Sequence, residues 1–401
     1  LSATPAAPPG ARRVVLALGT AQTLAWASSY YLPAILALPM ARELGLPPSW
    51  VFGAFSAALV LSALLGPAVG RAIDRRGGRG VLVVSNLVLA AGLVLLALAQ
   101  GPVTLGVAWL VMGVGIALGL YDAAFATLAG LYGRAARGPI TGITLIAGFA
   151  STVGWPISAL LAEAFGWRGA CLGWAALHLL VGLPLNRFLL PKAPPPARQA
   201  AAADAEDAPA PRFAMPLLAF IFAATWAVSG ALAAHLPTLL QATGASPAAA
   251  IAAAALMGPA QVAARLLEFG LLSRFHPLAS GRLATIGHPL GAAALLLFGA
   301  VAAPVFTVLH GMGNGIMTIV KGTLPLAIFG PLGYGARQGL LSAPSRFLQA
   351  LAPLGFGLVL EHASVGAALA LTSGLHLAAF TGMLLLRAPP RPGGASPARG
   401  A

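Results

Sequence analysis

Stretches of twenty or more apolar residues recur along this chain from Val14 toward its C-terminus, broken only by Gly, Pro or short charged clusters. A helix rises ~1.5 Å per residue, so each stretch can cross a ~30 Å hydrocarbon layer. Inside such a layer every backbone N–H and C=O must find a partner within the protein, which leaves helices or a closed barrel. A barrel would alternate apolar and polar residues over short segments. That pattern is absent. With 59% apolar and 8% charged residues, the chain reads as an all-α membrane protein that crosses the bilayer many times.

Breaks predict twelve spans, near residues 14–39, 49–70, 80–100, 103–131, 139–161, 169–190, 213–240, 247–272, 283–302, 304–329, 338–360 and 365–386. The first run follows Arg12 and Arg13 as a signal peptide would. Its length and the lack of a small-residue cleavage site favour a retained helix. Between the sixth and seventh spans lies "PKAPPPARQAAAADAEDAPAPR", a Pro- and Ala-rich linker of mixed charge. The expected organisation is a tail 1–13, a six-helix bundle 14–190, a linker 191–212, a second bundle 213–387 and a tail 388–401.

The net charge of +14 is a topology signal rather than a nucleic-acid footprint. Arg12, Arg13, Arg71, Arg75, Arg76, Arg79, Arg134, Arg137, Arg187, Lys192, Arg198, Arg212, Arg274, Arg282, Arg337, Arg387, Arg391 and Arg399 fall on one side of the predicted spans. Arg42 and Arg168 fall on the other. The positive-inside bias then places both termini and the linker in the cytoplasm, with the chain in the cell (inner) membrane. The expected partners are the lipid bilayer, a small-molecule substrate and protons, with no nucleic acid. The chain is expected to work as a monomer.

The two halves repeat. "YLPAIL" at Tyr31 answers "HLPTLL" at His235, and "GPA" at Gly66 answers "GPA" at Gly258. Glu163 with "LHL" around His178 recurs as Glu361 with "LHL" around His376, and "YGRAARG" from Tyr132 echoes "YGARQG" from Tyr334. Two halves of the same orientation imply a pseudo-twofold axis along the membrane normal and a central cavity between them.

One loop carries a large share of the charges: "GPAVGRAIDRRGGRGVL", Gly66 to Leu82, between spans two and three. Its pattern Gly70-x-x-x-Asp74-Arg75-x-Gly77-x-Arg79 resembles the signature loop of the major facilitator superfamily. That resemblance implies a fold of twelve helices in two six-helix bundles and a transporter working by alternating access. It also implies a latch at Gly70, Asp74, Arg75, Gly77 and Arg79 that joins the halves on the cytoplasmic side. The physics fits: Gly70 lets helices approach closely, Asp74 can accept hydrogen bonds at a facing helix N-terminus, and Arg75 and Arg79 can hold that carboxylate or a nearby carbonyl. The matching loop of the second half, "LEFGLLSRFHPLASGR", lacks the aspartate pattern, so the latch is expected on one side only. "LYGRAARGPITGI", "GWRGA" and "GLPLNRFLLP" are similar to the monocarboxylate and oxalate/formate branch. "AGFASTVGWPIS" resembles the Gly-Pro antiporter motif of drug exporters.

Five charges lie inside spans: Asp122, Arg265, Glu268, Lys321 and Arg346. Each costs about 2.5–3.5 kcal/mol near the bilayer centre, so they are expected to face a wet interior and to have partners. Aligning Gly113 with Gly311 brings Asp122 and Lys321 within one position of each other in the repeat. They can therefore face each other across the cavity, as a proton-loading pair or as a permanent ion pair. Arg265 and Glu268, spaced i, i+3, can neutralise each other on one helix face as a structural pair, or take part in coupling, as the resemblance to the monocarboxylate branch implies. Arg346 has no acidic neighbour in its own span, which makes it the candidate grip for an anion. Tyr31 and His235 hold matched positions, and His235 can shuttle a proton or simply pack. Asn314 is a candidate polar contact.

No HExxH, GxSxG or GxxxxGK[ST] motif is present, so no enzyme chemistry is expected. One cysteine, Cys171, excludes a thiol cluster within the chain. His178, His288, His310 and His376 show no ligand spacing, so neither a metal nor a cofactor is expected. The functional expectation is a proton-coupled carrier of a small organic anion such as a monocarboxylate. The alternative is a drug or metabolite exporter of the same fold.

Overall fold

The computed structural model describes residues 10–192 and 212–386. Most of the linker 191–212 and of both tails, with Arg198, Arg387, Arg391 and Arg399, lies outside the described residues.

The helices in chain order are α1 (Ala11–Ser28), α2 (Pro33–Glu43), α3 (Pro48–Arg76), α4 (Gly78–Ala97), α5 (Pro102–Gly119) and α6 (Tyr121–Tyr132). Next come α7 (Arg137–Ala147), α8 (Ala150–Leu177), α9 (Ala214–Ala242), α10 (Pro247–Ala255) and α11 (Met257–Gly270). The chain closes with α12 (Pro277–Phe298), α13 (Ala303–Phe329), α14 (Tyr334–His362) and α15 (Val365–Leu385). Among the described residues no strand occurs.

Several crossings are built from two helices. The first breaks between Ser28 and Pro33, the fourth at Leu120, and the eighth at Leu256. The fifth and sixth share α8, which is broken at Gly166 (φ 70°, ψ 171°). Trp174 Nε1 donates to Ser158 Oγ at 3.0 Å, though a straight helix would set those residues ~24 Å apart. The two arms of α8 therefore run side by side, and the molecule has twelve crossings in two bundles of six.

Each bundle has its own apolar interior. Trp109, Trp174, Leu89 and Leu93 centre one in the first half; Phe222, Val320 and Met383 centre another in the second. Leu64, Val103, Leu180, Leu297 and Val301 are exposed, which in water would be costly but on a lipid-facing surface is the favourable arrangement. The bundles meet chiefly where α14 packs along α3 and α6, and α7 against α11 and α13. Small residues make that approach possible. Gly70 lies so close to the Gly335 backbone that a Cβ on either would collide with the other helix.

Candidate functional site at the bundle interface

The break at Leu120 starts a new helix, and Asp122 sits in the first turn of α6. Unsatisfied amide N–H groups and the helix dipole favour a carboxylate there. Across the interface, α14 presents Gln338, Ser342 and Arg346 at i, i+4 and i+8, one face of a helix. All three reach Asp122: Gln338 Nε2 donates to Oδ1 at 3.2 Å, Ser342 Oγ to Oδ1 at 2.8 Å and Arg346 Nη2 to Oδ2 at 2.6 Å. Lys321 Nζ on α13 approaches Oδ1 at 3.4 Å and lies 4.9 Å from the centre of the Trp226 ring. Arg346 also donates to Ser62 Oγ on α3. One carboxylate from the first bundle is thus held by two cations from the second, all three nearly buried. Arg346, expected to be unpaired, is paired with Asp122. Its partner was invisible from its own helix because it comes from the other half.

The expected neutralisation of Arg265 by Glu268 also does not occur. Glu268 accepts from Ser280 Oγ at 2.6 Å and pairs with Arg137 Nη2 of the other bundle at 3.5 Å. The i, i+3 spacing permitted the pair, but better-placed donors from neighbouring elements took the carboxylate. Among the described residues, no carboxylate lies within ion-pair distance of Arg265, and its buried Nε has no partner. Its guanidinium presses against Gly148, where any side chain would collide with it. It lies within electrostatic reach of Tyr31 and Tyr121.

Those tyrosines belong to a ring cluster at the break in the first crossing. Trp26 lies 4.9 Å from Tyr121, 5.3 Å from Tyr30 and 6.1 Å from Tyr31, between ring centres. Phe55 and Trp155 extend the cluster, and Gln349 of α14 donates to the Tyr30 hydroxyl at 3.0 Å. Tyr121 adjoins Asp122 in sequence, so the ring cluster and the ion cluster share the first turn of α6. Sequence reading singled out Tyr31 alone of these rings. It also missed Gln338 and Ser342, whose four-residue register with Arg346 was a readable signal.

His235 and Asn314 lie elsewhere. His235 Nε2 donates to the Pro353 carbonyl at 2.8 Å and sits beside Phe356, a contact that ties α9 to α14. Asn314 accepts from Ser229 Oγ at 3.1 Å and lines a small pocket with His310 and His376. His178 is fully engaged, with Ser28 Oγ at 2.7 Å and Asn86 Oδ1 at 2.9 Å. His288, His310 and His376, whose sequence spacing gave no hint of a ligand set, are brought together by three different helices.

The signature loop makes a contact between halves. Asp74 Oδ1 accepts from the Gly335 N–H and Oδ2 from the Ala336 N–H, each at 2.8 Å, at the N-terminus of α14. Gly77 ends α3 with a φ of 79°, and Arg79 donates to the Leu190 carbonyl at 3.4 Å. Arg75 is exposed and does not hold Asp74. The expectation of a one-sided latch is corrected by the second half. There Arg137, at the start of α7, donates to the Phe275 carbonyl at 2.5 Å and the Leu272 carbonyl at 3.3 Å besides pairing with Glu268. The two contacts are pseudo-symmetric: each joins the end of a bundle's second crossing to the start of the other bundle's fifth. The repeat hid the second because it uses a different chemistry.

Residues 18–316 match the family model described as Major Facilitator Superfamily. A Thermoproteus tenax protein described as an uncharacterized 38 kDa protein in the 23S RNA operon is 33% identical over 153 residues. That match covers 38% of this chain and 40% of the relative's length. Among solved structures, the human organic anion transporter MFSD10 (TETRAN) superposes with a TM-score of 0.70 at 18% identity, covering 94% of this chain and 100% of its own. The proton:xylose symporter XylE, bound to 6-bromo-6-deoxy-D-glucose, does so with a TM-score of 0.70 at 12% identity, covering 93% and 95%. At these identities the likeness to the solved structures is one of fold.

Proposed function

Because the chain belongs to the major facilitator superfamily, we propose that it is a secondary transporter that carries a small organic anion, such as a monocarboxylate, by proton-coupled alternating access. The observation that carries this reading is the charge count at the interface. Lys321 and Arg346 share a single carboxylate, Asp122, while Arg265 has no carboxylate within ion-pair distance among the described residues, Glu268 being engaged by Arg137. A substrate carboxylate would supply the missing counter-charge. Arg265 offers the grip, since a buried guanidinium gains most from a bidentate acceptor. The neighbouring rings of Trp26, Tyr30, Tyr31 and Tyr121 suit an apolar or aromatic body on that anion.

Coupling follows from competition for the same cations. Asp122 holds Lys321 and Arg346 while the site is free. An arriving anion competes for them, and a proton on Asp122 relieves the repulsion between two carboxylates. The rocking of one bundle against the other would then alternate access. The face carrying the Asp74 and Glu268 contacts is assigned to the cytoplasm by its arginines. These contacts would close that face in the state seen here, as expected for a chain in the cell membrane with its termini inside.

A second reading, export of a hydrophobic solute against protons, is favoured by the size of the ring cluster. Proteoliposomes decide between them. Uptake or counterflow of labelled monocarboxylates driven by an imposed pH gradient is the expected result. Failure of every organic anion to exchange, with expulsion of a hydrophobic cation, would transfer the assignment to the exporter reading.

A further inference from the structure

His288 on α12, His310 on α13 and His376 on α15 converge inside the second bundle. All three are buried, and a ring nitrogen of each lies within 4.8 Å of the others. His288 Nδ1 and His310 Nδ1 are 3.0 Å apart, and the His288 and His376 rings stack with centres 4.4 Å apart.

The polar inventory of this cluster does not close. A neutral imidazole carries one donor and one acceptor, yet the Nε2 atoms of both His288 and His310 are buried without a partner. The first bundle shows what a closed arrangement looks like. There His178, the repeat counterpart of His376, is satisfied on one nitrogen by Asn86 and on the other by Ser28. In the second bundle an imidazole, His288, meets His376 where the first has the Asn86 amide. His376 Nδ1–H donates to the Thr372 carbonyl at 3.2 Å. That bond sets the tautomer and leaves the Nε2 lone pair available, as the outer-shell carbonyl of a metal-bound histidine does.

We propose that His288, His310 and His376 bind one divalent transition-metal ion of the zinc class and so pin α12, α13 and α15 together. With zinc–nitrogen bonds of 2.0–2.1 Å, neighbouring ligand nitrogens of a tetrahedral ion lie ~3.3 Å apart. One ligand nitrogen from each of the three histidines lies within 4.8 Å of the others, so ring rotation must close that spread to ~3.3 Å on binding. A cavity of about 10 Å³ lined by His310, His376, Ser229 and Asn314 adjoins the cluster. It has room for about one water, which completes the fourth position. Three imidazoles without a carboxylate select Zn²⁺, Co²⁺, Ni²⁺ or Cu²⁺ over Mg²⁺ and Ca²⁺. The site stands independently of the anion reading, because none of its ligands belongs to the Asp122 cluster.

The test uses the full chain in detergent, without a polyhistidine tag and stripped with chelator, titrated with Co²⁺ and then Zn²⁺. One equivalent of Co²⁺ with the absorption of a four-coordinate ion is expected, displaced by Zn²⁺, together with a rise in unfolding temperature on adding Zn²⁺. Loss of an outer-shell partner alone costs 10–100-fold in affinity. His376→Ala and His288→Asn should therefore each weaken binding by more than about 100-fold, while His362→Gln, at an exposed histidine, leaves it unchanged. A wild-type chain that takes up no Co²⁺, or binding that survives His376→Ala, overturns the proposal. If either variant fails to fold, X-ray absorption of the wild-type Zn²⁺ form decides: three imidazoles support the site, and an oxygen-dominated shell refutes it.

Discussion

Asp122 shows how much depends on one side chain. It answers two cations and two neutral donors from the opposite bundle, so its removal strands buried positive charge on both α13 and α14. Breaking a buried pair by removing one partner costs about 3–5 kcal/mol. Asp122→Asn keeps the shape and loses the charge. It should lower the unfolding temperature and abolish pH-driven accumulation while leaving substrate exchange measurable. Wild-type proton dependence in that variant would remove Asp122 from coupling. Arg265 behaves oppositely, because it has no carboxylate to abandon. Arg265→Gln should leave the unfolding temperature unchanged or raised. A charge-assisted hydrogen bond is worth about 1.5–3 kcal/mol, so the same variant should raise KM for the anion about 10- to 100-fold. An unaltered KM would take Arg265 out of the substrate site.

The helices obtain function from their ends and interruptions. Leu120 ends one helix so that Asp122 can begin another, and the N-terminus of α14 receives Asp74 through two amides. The second latch is a side-chain pair, Glu268 with Arg137, supported by carbonyls on the loop after α11. Under the proposed rocking of the halves, opening this face requires both contacts to break, so weakening them should favour the open state. Asp74→Asn and Glu268→Gln are each expected to increase labelling of cysteines introduced along α7 and α14 from the arginine-rich side, and together to increase it further. Labelling at wild-type levels in the double variant would mean that the latches do not hold the face shut. Gly70→Val should act differently. It collides with the Gly335 backbone and prevents closure whatever the charges do.

At the scale of the molecule, two bundles hold ions that neither could keep alone. The central ion pairs cross the interface, so the energy that stabilises the charges also stabilises one arrangement of the halves. Alternating access requires that arrangement to be given up in each cycle. A covalent bond across the latch should therefore arrest transport. Replacing Asp74 and Ala336, whose N–H meets the Asp74 carboxylate and which already carries a Cβ, by cysteines in the full chain is a clean test, since the one native cysteine, Cys171, is buried. Oxidation is expected to stop uptake and a reducing agent to restore it. Undiminished uptake with the bond formed would refute rocking of the halves about this contact.

The apolar runs, their breaks and the repeat offset made the all-helical, two-bundle architecture legible in the sequence. They report local facts: hydrocarbon thickness sets span length, and duplicated helices keep their spacing. The same offset brought Asp122 and Lys321 to matched depth, and the signature loop pointed Asp74 at a helix N-terminus. What the spacing along one helix could not reveal was who meets whom across the interface. Glu268 chose Arg137 over Arg265, Arg346 found Asp122, and three widely separated histidines converged, because partners in a bundle are decided by packing angles and by competition among donors from other helices. Those choices belong to the tertiary structure alone.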